Sequence, residues 1–498
     1  MSEAVTRPAR PDRPLGAFDA VDPPDLEAIL DCVHCGICLP QCPTYRVLGQ
    51  EMDTPRGRLY LMRAASEGRI GLTPNFVTHM DRCLGCRGCE SACPSGVPFG
   101  RLIEEVRGQI ERRVRRPLPR RLLRRVILGL FPHTRRLAVA LRLLRLYQQA
   151  GLQRLVRSSG LLRRTPRLAA MEGVLPALAG APVRPVPERL EPTGPPRGAV
   201  GLLTGCVQAL LFPEVNHATA RLLARAGYRV LAPPDQSCCG ALSLHWGDRE
   251  AARRLARANV AAFRGVDWIV TNAAGCGTAL RDYGHLLGDE PARAVADRAR
   301  DVSELLAGVL PEPRHPVPMT ATYHEPCHLA HGQRVREAPR ALLRAIPGLR
   351  LVELPESDLC CGSAGVYNIL EPEIAGRLLQ RKLDRIVETG ATVVASGNPG
   401  CLLQLRMGLA ERGLAIDARH PVELLAWSVE GRTPPADAHE GADRRGHPRR
   451  RGAQPPSPRP VGRGWGWRGF RMTRGLAIDA RHPVGLLAWS VEGTDPPA

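Results

Sequence analysis

The chain has 498 residues, 44% hydrophobic and 24% charged, which is enough for more than one buried core. Its formal charge of +20 is localised: residues 101–170 carry 19 Arg against Glu104, Glu105 and Glu111, and residues 432–498 carry 12 Arg against 6 acids. No recognition helix, zinc-finger spacing or aromatic platform accompanies those stretches, so nucleic acid is not an expected partner, and no run approaches the roughly 18 apolar residues of a membrane span.

Residues 1–24 are rich in Pro and Arg and read as a disordered N-terminus. They contain no apolar leader core, so the chain is expected in the cytoplasm, free or peripheral on the inner face of the cell membrane. Asp25–Asp31 reads as a short helix entering the run Cys32-x2-Cys35-x2-Cys38-x3-Cys42-Pro43, and a second run follows as Cys83-x2-Cys86-x2-Cys89-x3-Cys93-Pro94. This is the spacing of two-cluster bacterial ferredoxins, in which three thiolates hold one [4Fe–4S] cube and the fourth ligates the other. Zinc knuckles use two Cys-x2-Cys pairs instead. Gly36, Gly85 and Gly88 suit such loops through positive φ or close backbone approach. Between the runs, Thr54-Pro55 signals an N-cap and first helical residue, with the helix reaching about Glu67 before Gly68. A mostly helical cluster domain is expected over 25–110.

Residues 111–171 alternate Arg pairs with aliphatic residues, with Leu123, Val126, Ile127 and Leu130 at helical spacing, as are Leu137, Leu141 and Leu144. Two readings follow: an amphipathic connector with solvated arginines, or a cationic surface for an anionic membrane or an acidic partner. Seven prolines in 172–197 mark a semi-rigid linker.

Beyond the linker, strand and helix signals alternate. Strands are expected at 199–203, 228–231 and 268–271, then at 320–323, 350–354 and 392–395. Helices are expected at about 213–226, 249–263, 337–345 and 371–389. The sixteen cysteines divide into four groups of four, and the last two groups are Cys206/Cys238/Cys239/Cys276 and Cys327/Cys360/Cys361/Cys401. Thirty-one residues separate Cys206 from Cys238 and thirty-two separate Cys327 from Cys360, which identifies a duplicated β/α module covering 198–312 and 313–431. Cysteines just past strand ends lie where open α/β sheets bind ligands. Each group therefore reads as a redox-thiol or metal site, with His324, His328 and His331 flanking Cys327 and His217 and His245 further off. Residues 413–431 recur at 475–493 with Gly485 in place of Glu423. The first copy is expected as the terminal helix of the second module, and 432–498 as a disordered tail.

Several stretches besides the cysteines resemble one family, the iron–sulfur subunit of glycolate oxidase, a glycolate dehydrogenase. They include Thr204-Gly205-Cys206-Val207-Gln208, Tyr323-His324-Glu325-Pro326-Cys327-His328, Cys360-Cys361-Gly362-Ser363-Ala364-Gly365 and Gly397-Asn398-Pro399-Gly400-Cys401. The resemblance spans about residues 20–430. It implies an α+β multidomain chain: a helical two-[4Fe–4S] ferredoxin-like domain followed by two tandem α/β cysteine-rich Cys-Cys-Gly modules. It implies an electron-transfer subunit of a flavin-dependent 2-hydroxy-acid dehydrogenase that turns glycolate into glyoxylate, with FAD on a partner subunit and an acceptor such as quinone. No catalytic residue is assigned to this chain, in keeping with the lack of a dinucleotide fingerprint. One cluster would take Cys32, Cys35, Cys38 and Cys93, and the other Cys83, Cys86, Cys89 and Cys42. Related subunits serve lactate and glycerol-3-phosphate oxidation and heterodisulfide reduction. In the heterodisulfide-reducing relatives the last element is Cys-x2-Cys. Here Cys276 and Cys401 stand alone, leaving a four-thiolate cluster, zinc or reducible thiols open for both modules.

Overall fold

The computed structural model describes residues 16–160, 184–310 and 312–432. The expectations for residues 1–15, for residues 161–183 at the end of the connector and the start of the proline-rich linker, and for the tail 433–498 with its duplicate at 475–493 fall outside them. Residues 16–24, expected to lie outside the fold, pack against it. Phe18 is buried, Asp19 is held by the Gln109 amide, and Asp22 pairs with Arg249 and Arg253.

The N-terminal part is helical. Asp25 caps Leu26–Leu30 by accepting from the Glu27 N–H at 3.0 Å. Thr54 caps Pro55–Ser66 by accepting from the Gly57 N–H, with Pro55 at the first helical position. Pro74–Asp81 and Phe99–Arg113 complete the core, where Leu59, Met62, Phe76, Met80, Leu102, Val106 and Ile110 are buried together.

Two sheets follow, and each has the duplicated order the cysteine spacing implies. In the first, β2 (Gly198–Leu202), β3 (Tyr228–Leu231), β4 (Trp268–Thr271) and β5 (Ala299–Asp301) are parallel. β1 (Arg189–Leu190), from within the expected linker, adds antiparallel to β3, giving the order β1-β3-β2-β4-β5. In the second, β6 (Thr320–Tyr323), β7 (Arg350–Val352), β8 (Val393–Ala395) and β9 (Asp417–Arg419) run parallel in the order β7-β6-β8-β9. Each sheet has its strand order reversing beside its first strand, which opens a crevice at the carboxyl ends.

A shared helix layer joins the sheets. Helix Pro213–Arg225 of the first module packs on Pro421–Glu430 of the second, while Glu337–Arg344 of the second packs on Val302–Gly308 of the first. The arrangement is a pseudo-two-fold, since the helix after the first strand of each module meets the helix after the last strand of the other. Leu222, Leu223, Leu306, Leu342, Leu343 and Leu425 are buried there, and Arg221 forks onto Glu430 at 2.6 and 3.1 Å. Residues 413–431, the first copy of the repeated segment, supply β9 and this terminal helix. That position is filled, so deleting 433–498 is expected to leave solubility and metal content unchanged, as measured on the purified truncation.

His420 ties the modules together. Its Nδ1 accepts from the Val422 N–H at 3.1 Å, so Nε2 carries the proton it donates to the Asn272 carbonyl at 2.8 Å. Burial lowers its pKa to about 4. A histidine held neutral contributes stability that is complete above its unfolded pKa of about 6.5 and lost as pH falls toward 4, because the unfolded chain then binds more protons. His420→Gln should destabilise the protein at pH 7 by at most about 3 kcal/mol. The gap from the parent should shrink between pH 6.5 and 4 in paired unfolding titrations.

Candidate cluster and metal sites

The two ferredoxin-type loops share one backbone conformation. The third and fifth residues of each run have positive φ: His34 and Gly36 at 53° and 82°, Gly85 and Arg87 at 66° and 61°. Gly88 begins Gly88–Ala92, and what its small size permits is close approach, with the Gln41 carbonyl 3.3 Å from where a Cβ would stand. The conformation turns backbone donors toward sulfur. The Gly85 N–H donates to Cys83 Sγ at 3.3 Å, the Gly88 N–H points at the Cys86 sulfur, and the His34 N–H at that of Cys32.

Cys32, Cys35, Cys38 and Cys93 line one pocket together with Cys89, Arg56 and Phe99. Arg56, anchored on Glu51 at 2.6 Å, donates to the His34 carbonyl and braces the loop. This group lies at the surface: Cys35 is exposed, and Val33 and Ile37 beside it are 69% and 56% exposed. The second group is interior. Cys42, Cys83 and Cys89 are buried, and their charges interact with one another and with Cys86. Burial pushes Cys38 up to about 11 and raises Cys32, Cys86 and Cys89 as well. Without a metal these thiols stay protonated, and loading must displace protons and supply positive charge.

A buried ion-pair network supports the second group. Arg58 donates to the Asp53 carboxylate at 3.2 Å, to the His79 carbonyl at 2.7 Å and to Thr44 Oγ1 at 3.2 Å, while Thr44 Oγ1 lies 3.1 Å from Cys42 Sγ. His79 and Arg82 also reach Asp53. Asp53→Ala leaves Arg58 charged and unpaired in the core, so a loss of about 3–5 kcal/mol is expected from thermal or chemical unfolding of the full chain.

Loop 83–89 is clasped between the modules. His245 Nδ1 lies 3.9 Å from a Cβ built on Gly85, and His331 Nε2 lies 3.6 Å from one built on Gly88. Arg107 donates to the Met80 and His245 carbonyls, Tyr367 Oη donates to the Arg82 carbonyl at 2.8 Å, and Arg87 pairs with Asp282. Cys86 thereby comes within electrostatic reach of Cys327 in the second module.

In the modules, each Cys-Cys pair is in contact with itself and links the two outer cysteines of its group. Cys238 meets Cys206 at 3.6 Å while Cys239 interacts with Cys276; Cys360 meets Cys327 at 4.0 Å while Cys361 interacts with Cys401. The two groups adjoin across a seam in which the Ala274 N–H bonds the Gly397 carbonyl, the Gly275 N–H bonds Asn398, and Thr278 Oγ1 bonds the His328 carbonyl. Of the histidines singled out in sequence, His324 is fully buried with Cys361 and Cys401, and His328 Nδ1 lies 3.5 Å from Cys327 Sγ. His331 faces Ser91 and the Asp358 carbonyl, His245 pairs with Glu104, and His217 contacts the Arg184 carbonyl. Sequence reasoning passed over Lys382, although it is the only lysine in the chain. Its buried ammonium donates to the Glu356 and Ser357 carbonyls beside Cys360 and Cys361, and burial lowers its pKa to about 8.

Comparison with known proteins agrees with this layout. Residues 28–97 match a 4Fe-4S dicluster domain, 200–281 and 321–406 a cysteine-rich domain, and 119–175 the linker region of the glycolate oxidase iron–sulfur subunit. A probable glycolate oxidase iron–sulfur subunit of Bacillus subtilis is 40% identical over 81% of this chain and 95% of its own length. The chain belongs to the glycolate oxidase iron–sulfur subunit family. The Escherichia coli glycolate oxidase iron–sulfur subunit is 34% identical over 80% of this chain and 94% of its own length. The lactate utilization protein A of Oceanobacillus iheyensis is 29% identical over only 47% of this chain, though over 98% of itself. As a family member, the chain is an iron–sulfur subunit of an oxidoreductase complex.

Proposed function

We propose that this chain is the electron-carrying subunit of a flavin-dependent 2-hydroxy-acid dehydrogenase. It would act with glycolate as substrate and relay electrons from a flavin-bearing partner through two [4Fe–4S] clusters to a quinone-type acceptor. The observation that carries the reading is the paired loop geometry, one four-cysteine group open to the surface and the next buried against the modules. Cys32, Cys35, Cys38 and Cys93 would hold one cluster, and Cys42, Cys83, Cys86 and Cys89 the other. When bound, such clusters accept and release single electrons, with potentials set by burial, charge and hydrogen bonds to sulfur. The chain's own part is insulation and tuning: Arg58 adds buried positive charge, and the Gly85 and Gly88 N–H groups add donors. Exposed Val33 and Ile37 around Cys35 offer an apolar contact for the electron-donating partner. Anaerobic purification should give about eight irons and eight sulfides per chain and no flavin. Co-expressed with its flavoprotein partner, the complex should reduce a quinone analogue with glycolate in preference to D- or L-lactate. Cys35→Ser should abolish that transfer while the partner's flavin is still reduced by glycolate. Zinc without sulfide at the eight cysteines, or lactate preferred over glycolate, would refute the reading.

The connector supports a membrane-facing acceptor. Leu118–Leu130, Thr134–Gln149 and Leu152–Ser158 turn Ile127 and Leu137 inward but leave Leu118, Leu122 and Val126 outward, as they do Val139, Leu143 and Leu146. Arg121, Arg125, Arg142 and Arg145 stand on the same helices as these rows, which is the composition of a helix surface lying on anionic lipid. No helix among the described residues is long and apolar enough to cross a membrane. Salt-sensitive co-sedimentation with anionic vesicles, weakened by Leu122→Glu with Leu143→Glu, is the expected result. Binding of those variants that equals the parent's would remove the membrane from the proposal.

A further inference from the structure

The two modules are duplicates in fold but not in chemistry, and the difference is one residue deep in each crevice. In the first, Leu203 follows β2 and precedes Cys206 by three residues; it is buried and packs with Cys238 and Cys239. At the same place in the second module, immediately after β6 and three residues before Cys327, stands His324, fully buried. A buried imidazole replacing a buried leucine costs desolvation unless both ring nitrogens are used. Nδ1 is used, 3.1 Å from the Ser357 carbonyl, and so carries the ring proton. Nε2 then presents a lone pair, and it is buried without a hydrogen-bond partner.

That nitrogen belongs to a triad. One ring nitrogen of His324, Cys361 Sγ and Cys401 Sγ all lie within 4.8 Å of one another, and all three residues are buried. We propose that His324, Cys361 and Cys401 form a mononuclear zinc site in the second module, with His324 coordinating through Nε2, and that the first module has no counterpart. Around a tetrahedral zinc with bonds of about 2.0–2.3 Å, ligand atoms stand about 3.5–3.8 Å apart. The triad therefore needs to close by about 1.3 Å at most to bind. Two thiolates and a neutral imidazole cancel the ion's charge, as a dry site requires. The donor set of sulfur and imidazole selects zinc over harder divalent ions.

The supporting groups fit a metal ligand set. The Ser357 carbonyl fixes the His324 tautomer, which is the outer contact a ligating histidine keeps. Cys401 sits in the first turn of the thirteen-residue helix Pro399–Glu411, where the dipole favours a thiolate, and Asn398 Nδ2 donates to its sulfur at 3.5 Å. Cys360 bridges Cys327 and Cys361, whereas Cys361 and Cys401 are the two sulfurs that share the His324 nitrogen. In the first module Cys239 and Cys276 meet without an imidazole, leaving an all-thiol group.

The test is independent of the two-cluster reading, which iron and sulfide report, whereas zinc reports this one. The full-length protein, purified anaerobically, should contain about one zinc per chain beside its cluster iron. Cys361→Ser and His324→Leu, the latter copying the first module, should bring zinc to background while iron and sulfide stay constant. Cys239→Ser should retain the zinc. Cobalt(II) added to the zinc-stripped parent should give thiolate-to-cobalt charge transfer, which settles the matter if a variant fails to fold. A parent without zinc and without that band would overturn the site, as would zinc persisting in His324→Leu. So would iron and sulfide in excess of two clusters that disappear with Cys361→Ser.

Discussion

Burying sulfur that must become negative is the constraint to which the rest of this fold answers. A buried thiol resists ionisation, and Cys38, Cys86 and Cys89 are all pushed upward by their surroundings. A ligand set of this kind forms only where cations and oriented N–H groups wait beside it. The chain places Arg58 next to Cys42 and Cys83, Lys382 next to Cys360 and Cys361, and backbone donors at Gly85 and Gly88. Arg58 is in turn held by Asp53, His79 and Thr44, so one aspartate in the helical core orients the charge that serves a cysteine loop twenty-five residues on. Lysine stands at 382 although every other basic residue is arginine. A compact ammonium can bond two adjacent carbonyls in a dry pocket where a guanidinium fork would leave donors unmet.

The same constraint accounts for the way the modules embrace the N-terminal domain. Loop 83–89 has no cover of its own, and a naked cluster loop of this size would be solvated on one side. His245 comes from the first module, His331 and Tyr367 from the second, and helix Phe99–Arg113 carries Glu104, Glu105 and Arg107 into the seam with all three buried. The outcome is a series of cysteine groups that runs from the exposed Cys35 loop, through the half-buried Cys86, to the buried Cys327. Duplication supplied the two halves of the clasp, and the pseudo-two-fold helix layer fixes their spacing. Divergence at Leu203 and His324 then made the halves chemically unequal.

Much of this was legible in the sequence because it rests on local rules. The cysteine runs, the Thr54-Pro55 cap and the strands before Cys206, Cys276, Cys327 and Cys401 are written in spacing and turn chemistry. What could not be read was convergence. β1, β5 and β9 have two or three residues each and no alternation to detect, since they are ordered by neighbours and not by their own pattern. His324 looked like one of three similar histidines around Cys327, and only the fold shows that its ring enters the Cys361–Cys401 pair while His331 turns to Ser91. Lys382 was visible as a compositional oddity, yet its meaning depends on a carbonyl pair twenty-five residues away.

The connector shows the limit from the other side. Its periodicity predicts helices correctly, but amphipathicity alone does not say which face a neighbour will claim. The core takes Ile127 and Leu137, and acids of the N-terminal domain claim the first arginines, Arg116 on Asp81 and Glu111, Arg120 on Asp81, and Arg124 on Glu111. Those pairs tie Leu118–Leu130 to Asp81 at the end of Pro74–Asp81 and to Glu111 of Phe99–Arg113, while Leu118, Leu122 and Val126 face outward. Helix burial normally runs the other way, with the apolar row inward and the charges in water. Here the ion pairs win because they are partly shielded and share two acidic residues among three arginines, whereas the apolar row keeps its hydrophobic area available for a surface outside the chain. An apolar row held outward by its own protein's salt bridges is a surface arranged for contact, set on the helices that join the cluster domain to the modules.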